Sequence, residues 1–195
     1  MNAKQTPEET VKEIFSLYEQ LGHADYIGEP VSQLEHMSQA AQRAMNSGCD
    51  DEVVLAAFFH DIGHLCVSKA EDNDMEGLGI RDHEDVGAEF LRKRGFSQRL
   101  VQLVRNHVLA KRYLTAVDST YYSRLSPASR RTLELQGGPM TSREVSAFER
   151  DPTFSLSLKL RRWDDEAKIP LQPVDNLGQL KSMAYRVLLA GLNKS

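Results

Sequence analysis

Cysteine is scarce in this chain of 195 residues. Cys49 and Cys66 are the only two and lack C-x-x-C spacing, which excludes a disulfide framework and a thiolate zinc site and fits a reducing compartment. Long apolar runs are missing too. The longest, Val53 to Phe59, is far too short to cross a bilayer. Met1-Asn2-Ala3-Lys4 leads into Gln, Thr, Pro and Glu rather than into the apolar core of a secretion signal, so a cytoplasmic location without a membrane partner is expected. Basic runs are absent as well: 24 Lys and Arg stand against 28 Asp and Glu, a net charge of -4, which argues against nucleic acid as a partner. There is no internal repeat, low-complexity tract or hairpin signal. With 41% hydrophobic and 27% charged residues, the chain can fill one good core, and a single domain over residues 1–195 is expected.

The punctuation is helical throughout. Thr6-Pro7-Glu8-Glu9 combines an N-cap, a proline at the first helical position and a capping-box glutamate, and Ile14, Leu17, Tyr18 and Leu21 follow at helical spacing before Gly22. After the loop His23 to Pro30, a second helix carries Leu34, Met37, Ala41, Ala44 and Met45, and Gly48 ends it. The run Val53 to Phe59, continued through His60, Asp61 and His64, predicts one helix that is apolar almost all round and sits in the middle of a bundle. A connection from Lys69 to Gly79 leads to a helix from about His83 to Arg94, then to one that begins near Ser97 and buries Leu100, Leu103, Val104 and His107. Residues 113–152 are more polar, with short helices opened by Ser126-Pro127 and by Thr141, and read as a lid or side layer. Helices from about Thr153 to Lys168 and from Leu177 to Leu192 complete an all-α fold.

The chemistry lies in histidines and aspartates. His60 and His64 fall one helical turn apart with Asp61 beside them, inside the most hydrophobic stretch of the chain. An unpaired buried carboxylate is costly, and a divalent cation would neutralise it while using the imidazoles as ligands. Taken alone, a buried His–Asp pair is more often a structural hydrogen-bonded couple. His36, His83 and His107 each lie in or at the start of a separate helix, however, and Asp164 follows Trp163 on the inward stripe of a fourth. Four histidines and two aspartates thus converge on one bundle core, a thiolate-free set that suits iron or manganese. Six protein ligands exceed what one catalytic ion can use, so a pair of metals roughly 3.5–4 Å apart is expected, with Asp61 as the bridging candidate. Lys111, one turn after His107, can meet an anion bound at the metal.

The pattern His36, His60-Asp61, His83, His107 and Asp164 resembles the HD-domain superfamily, helical bundles that bind one or two metals and mostly hydrolyse phosphate esters. Longer blocks sharpen the likeness: 25–30 (Asp-Tyr-Ile-Gly-Glu-Pro), 60–64 (His-Asp-Ile-Gly-His), 107–113 (His-Val-Leu-Ala-Lys-Arg-Tyr) and 162–168 (Arg-Trp-Asp-Asp-Glu-Ala-Lys). They resemble the phosphonate-cleaving mixed-valent diiron oxygenases, with inositol oxygenases as more distant relatives. The resemblance implies an HD-domain bundle around two Fe ions in the Fe(II)/Fe(III) state. One iron would take His36, His60, Asp61 and Asp164, and the other Asp61, His83 and His107. It further implies that Tyr26 covers the second iron at rest and that Glu29 reaches the amino end of the substrate. His64 and Lys111 would hold the phosphonate, helped by Ser129, Thr132 and Arg161. His23 has no implied role.

The implied reaction uses O2 to cleave the C–P bond of 1-hydroxy-2-(trimethylamino)ethylphosphonate or 2-amino-1-hydroxyethylphosphonate, giving phosphate with glycine betaine or glycine. The trimethylated compound is the closer match by overall resemblance. The alternative is a metal-dependent HD-domain phosphohydrolase, since the same ligands can activate a water for attack on a phosphate ester. Tyr26 and Glu29 favour the oxygenase, because a hydrolase needs water rather than a phenol at its open metal position. A regulatory bundle stapled by metal fits less well with His64 and Lys111 beside the site.

Overall fold

The computed structural model describes residues 5–26, 28–67 and 74–193; part of the expected connection from Lys69, residues 69–73, lies outside them. Eleven helices are found among the described residues: α1 (Pro7–Leu21), α2 (Gln33–Asn46), α3 (Asp51–Phe59), α4 (Gly63–Cys66), α5 (His83–Lys93), α6 (Gln98–Val117), α7 (Tyr121–Arg124), α8 (Pro127–Leu135), α9 (Ser142–Phe148), α10 (Phe154–Glu166) and α11 (Leu177–Leu192). Their starts follow local chemistry. Thr6, Ser32 and Thr141 form reciprocal capping boxes with Glu9, Glu35 and Glu144, and Asp50, Ser97 and Ser126 cap α3, α6 and α8.

The central element is α3, with every residue from Val53 to Phe59 buried and α2, α6, α10 and α11 packed around it. Phe15, Tyr18, Phe58 and Phe59 stack at one end, the Tyr18 and Phe58 ring centres 4.5 Å apart, and the Tyr18 hydroxyl donates to the Phe58 carbonyl. Truncating such a ring to Ala costs about 3–5 kcal/mol. A second apolar cluster, including Tyr113, Leu125, Leu133 and Phe148, binds α7, α8 and α9 to the C-terminal half of α6. Helix α6 runs on to Val117, so residues 113–117 continue it. No helix of the described residues is long and apolar enough to cross a membrane.

One expected helix is broken. The stretch from Val53 through His64 is not continuous: α3 ends at Phe59, and the amides of Ile62, His64 and Leu65 bond to carbonyls three residues back rather than four. The cause is tertiary. A Cβ at Gly63 would lie 1.9 Å from the carbonyl oxygen of His83, so the chain at this point is pressed against the start of α5. The break matters for the site because consecutive side chains of a regular helix diverge by about 100°, whereas His60 and Asp61 both turn into the same buried cluster.

Candidate metal centre and adjoining cavity

Five segments supply the cluster: α2 (His36), the α3–α4 turn (His60, Asp61), α5 (His83), α6 (His107) and α10 (Asp164), all buried. Their ligand atoms form two triads, His36–His60–Asp164 and Asp61–His83–His107. Asp61 links them. Its Oδ2 lies 3.3 Å from His60 Nε2 and 3.7 Å from His36 Nε2, while its Oδ1 lies 3.1 Å from His83 Nε2 and 3.3 Å from His107 Nε2.

The ring tautomers follow from the outer contacts. Nδ1 of His36, His60, His83 and His107 faces the carbonyls of Ala167, Ala57, Ile80 and Val104 at 2.7–3.1 Å. A carbonyl only accepts, so each Nδ1 carries the proton and each neutral ring turns an Nε2 lone pair inward. These lone pairs meet one another at 3.1 Å (His36 and His60) and 3.0 Å (His83 and His107), with carboxylate oxygens beside them. Asp164 Oδ1, 3.3 Å from His36 Nε2, is buried with no hydrogen bond. With each Nδ1 committed to a carbonyl, the buried cluster is short of donors and calls for cations, either protons on the Nε2 atoms or metal ions, and the nitrogen and oxygen donor set fits a transition metal in each triad.

The electrostatics agree. Burial lowers the pKa of His60, but the carboxylates of Asp61 and Asp164 outweigh it and raise the pKa to about 9. Burial likewise opposes ionisation of Asp61 and Asp164, yet the histidines around Asp61, and Arg161 with His60 beside Asp164, hold both carboxyls well below their ordinary range. The field that would keep a proton on His60 attracts a metal cation equally.

His64 stands apart. Its ring stacks on His83 at 4.0 Å, and its Nδ1 accepts the Ile80 amide at 3.0 Å, so its proton sits on Nε2, the opposite tautomer to the four histidines above. Burial and the neighbouring His83 hold its pKa well below the usual value, which leaves it a neutral donor. Gly79 makes room for it: at φ 109° it has no Cβ, which would lie 2.6 Å from His64 Cε1.

A cavity of about 70 Å³ opens beside the cluster and is lined by Tyr26, Glu29, His64, Lys111, Ser129, Thr132 and Arg161, among others. All seven non-ligand residues singled out from the sequence therefore meet at one cavity. Lys111 is buried, donates to Thr132 Oγ1 at 3.1 Å, and has its pKa lowered to about 7 by burial and by Arg161. Tyr26 stacks on His36 at 4.0 Å; burial and the carboxylates of Asp61 and Asp164 raise its phenol pKa. Arg161 is already engaged, donating to Asp164, Asp165 and the Tyr121 hydroxyl. Glu29 accepts from Lys168 and Ser126. His23 is exposed and away from the cavity.

Sequence reasoning missed several participants. Gln33 and Gln136 also line the cavity, each with a side-chain oxygen buried and unpartnered, but Gln33 reads as a first-turn residue and Gln136 as a helix stop. Asp165, one turn on in α10, and Tyr121 brace Arg161, and Lys168 neutralises Glu29; the long-range fold brings Tyr121 to Arg161 and Lys168 to Glu29.

The fold and the paired His/Asp triads define a metal-dependent HD-domain protein, and residues 33–146 match the HD domain. The chain belongs to this family and, within it, to the phosphonate-cleaving oxygenases. It is 40% identical over 158 residues to [1-hydroxy-2-(trimethylamino)ethyl]phosphonate dioxygenase (glycine-betaine-forming) of Leisingera caerulea, covering 81% of this chain and 80% of that protein. It is 40% identical over 169 residues to hydroxymethylphosphonate dioxygenase of Gimesia maris, covering 87% and 83%. A protein of Acanthamoeba polyphaga mimivirus, Uncharacterized protein L432, is 40% identical over 185 residues, covering 95% and 84%.

Proposed function

We propose that this enzyme uses O2 to cleave the C–P bond of a small 1-hydroxyphosphonate in the cytoplasm, with two Fe ions, Fe(II) and Fe(III), as its cofactor. The observation that carries this reading is the donor-poor cluster split by Asp61 into two triads, opening on a cavity with a buried ammonium at Lys111. His36, His60, Asp61 and Asp164 would hold one iron, and Asp61, His83 and His107 the other. When bound, the metals supply Lewis acidity for the substrate oxygens and electrons for O2.

The rest falls to the chain. Lys111, backed by Thr132, receives the phosphonate with a charge-assisted hydrogen bond, Ser129 adds a hydroxyl, and the Nε2–H of His64 donates to the same anion. Arg161 adds positive charge to the wall while it orients Asp164. Tyr26, packed on His36, shields the cluster until substrate arrives. In the reaction a C1–H bond and the C1–P bond break, C1 loses four electrons, and O2 gains them, so that a carboxylate and phosphate leave.

The possible substrates differ at the end remote from phosphorus. That end bears a trimethylammonium in 1-hydroxy-2-(trimethylamino)ethylphosphonate and a primary ammonium in 2-amino-1-hydroxyethylphosphonate; hydroxymethylphosphonate has no such group. The test is O2 uptake together with phosphate release from these compounds, with anaerobic controls. Phosphate release that proceeds equally without O2, or hydrolysis of phosphate esters in its place, overturns the oxygenase reading in favour of a phosphohydrolase.

A further inference from the structure

The two triads differ in charge. His36–His60–Asp164 has a carboxylate of its own, whereas Asp61–His83–His107 has two imidazoles and only the carboxylate of Asp61, which also faces the other pair. The outer ring nitrogens differ as well. Nδ1 of His36, His60 and His107 meets only a carbonyl among the described residues. Nδ1 of His83 faces the Ile80 carbonyl at 3.1 Å and also Oε2 of Glu84 at 3.5 Å. That oxygen is buried without a hydrogen bond, and the Glu84 side chain is only 15% exposed, so solvent screens its charge little from the ring. Both residues open α5, whose N-cap residue Asp82 lies in the left-handed region at φ 55° and supplies no side-chain cap. The positive end of the helix dipole favours a carboxylate in this first turn. It does not by itself explain an oxygen turned to His83 Nδ1 with no amide bonded to it.

We propose that Glu84 is a positioning residue for the metal at Asp61–His83–His107: acting through the His83 ring, it supplies the negative charge that this triad lacks, tightens metal binding there and lowers the reduction potential of iron held there. The route is the imidazole. A carboxylate beside Nδ1–H fixes the ring orientation and makes the Nε2 lone pair a stronger ligand. The added negative charge favours Fe(III) over Fe(II), because the ferric ion carries one more positive charge. This rests on the two-iron reading above and is independent of which phosphonate is the substrate.

The test uses Glu84→Gln, which keeps the shape and removes the charge. Iron-loaded enzyme, reduced to Fe(II) under argon, is equilibrated with graded amounts of a chelator and its metal content read by elemental analysis; the one-electron potentials are read by redox titration with EPR detection. In the Gln variant one of the two metals is expected to bind about tenfold or more weakly, the scale of a lost outer partner. One potential is expected to rise, by about 59 mV for a tenfold change in the preference for Fe(III). Glu84→Asp, which keeps the charge, retains the larger part of both properties and guards against misfolding of the Gln variant. In a His83→Ala background, where the route through the ring is gone, Glu84→Gln is expected to change neither the affinity nor the potential of the remaining metal. Unchanged affinities and potentials in folded Glu84→Gln overturn the inference and leave the helix dipole as the whole role of Glu84. The same losses in the His83→Ala background overturn it too, since they do not pass through His83. A wild-type enzyme that binds at most one metal removes the two-iron reading and this inference with it.

Discussion

Arg161 donates to Oδ2 of Asp164 at 2.6 Å, and Oδ1 of that carboxylate is left facing His36 and His60 with no hydrogen bond of its own. One oxygen is anchored and the other is aimed. Arg161 is itself held by Asp165 and by the Tyr121 hydroxyl. Its Gln variant leaves two carboxylates short of their shared cation, and breaking a buried pair in this way costs about 3–5 kcal/mol. We expect a loss of stability of that order in urea unfolding and a lower metal content by elemental analysis. A variant with normal stability and full metal content shows that Asp164 needs no such anchor.

Asp61 offers one oxygen to each histidine pair. Asp61→Ala is therefore expected to lose both metals together, whereas His107→Ala, at the edge of one triad, lowers the content by about half. Retention of one full equivalent in the Asp61 variant removes it from the bridging position.

Tyr26 packs flat against His36, between the loop before α2 and the cluster. If the phenol guards the second iron, the reduced iron-loaded Phe variant oxidises in stopped-flow mixing with O2 without substrate, at least about tenfold faster than the wild type. Unchanged kinetics reduce Tyr26 to a packing residue.

Lys111 gives the anion pocket a pH dependence. Burial, followed by Arg161, lowers its pKa from the ordinary lysine value to about 7, so in the free enzyme the ammonium is largely present below that pH and lost above it. Corrected for the phosphonate's own second ionisation, binding by the free enzyme is expected to be level below about pH 7 and to weaken about tenfold per unit above it, until the bound anion no longer favours the ammonium. Lys111→Met flattens this profile, and calorimetric titrations between pH 6 and 9 read it directly. A slope that persists in the Met variant assigns the dependence to another group.

The helices were legible in the sequence because their signals are local. The Thr6 and Thr141 boxes, the start near Ser97, and the span from Leu177 to Leu192 all depend on neighbours within a turn or two. The six converging histidines and aspartates could be read because ionisable residues on apolar faces stand out. The break after Phe59 could not, since it comes from Gly63 meeting a carbonyl on α5. The same holds for Lys168. Its partner Glu29 lies 139 positions away, and nothing near either residue announces the pair. Arg161 read as an anion contact through the family resemblance, and the structure shows most of its donors committed to Asp164 and Asp165 on its own helix and to the distant Tyr121.

The distribution of the cluster over five segments bears on how the protein acquires its metal during synthesis. His36, His60, Asp61, His83 and His107 precede Asp164 of α10 in the chain, so the set of imidazoles and one carboxylate is available before the second carboxylate. Such a set ranks divalent ions by the Irving–Williams order, which places copper and zinc above iron. Only when α10 docks, and Ala167 accepts the His36 ring proton, is the set complete. If metal loads before α10 docks, expression in zinc-rich or iron-rich medium is expected to leave a corresponding imprint on the metal content of the purified protein, read by elemental analysis.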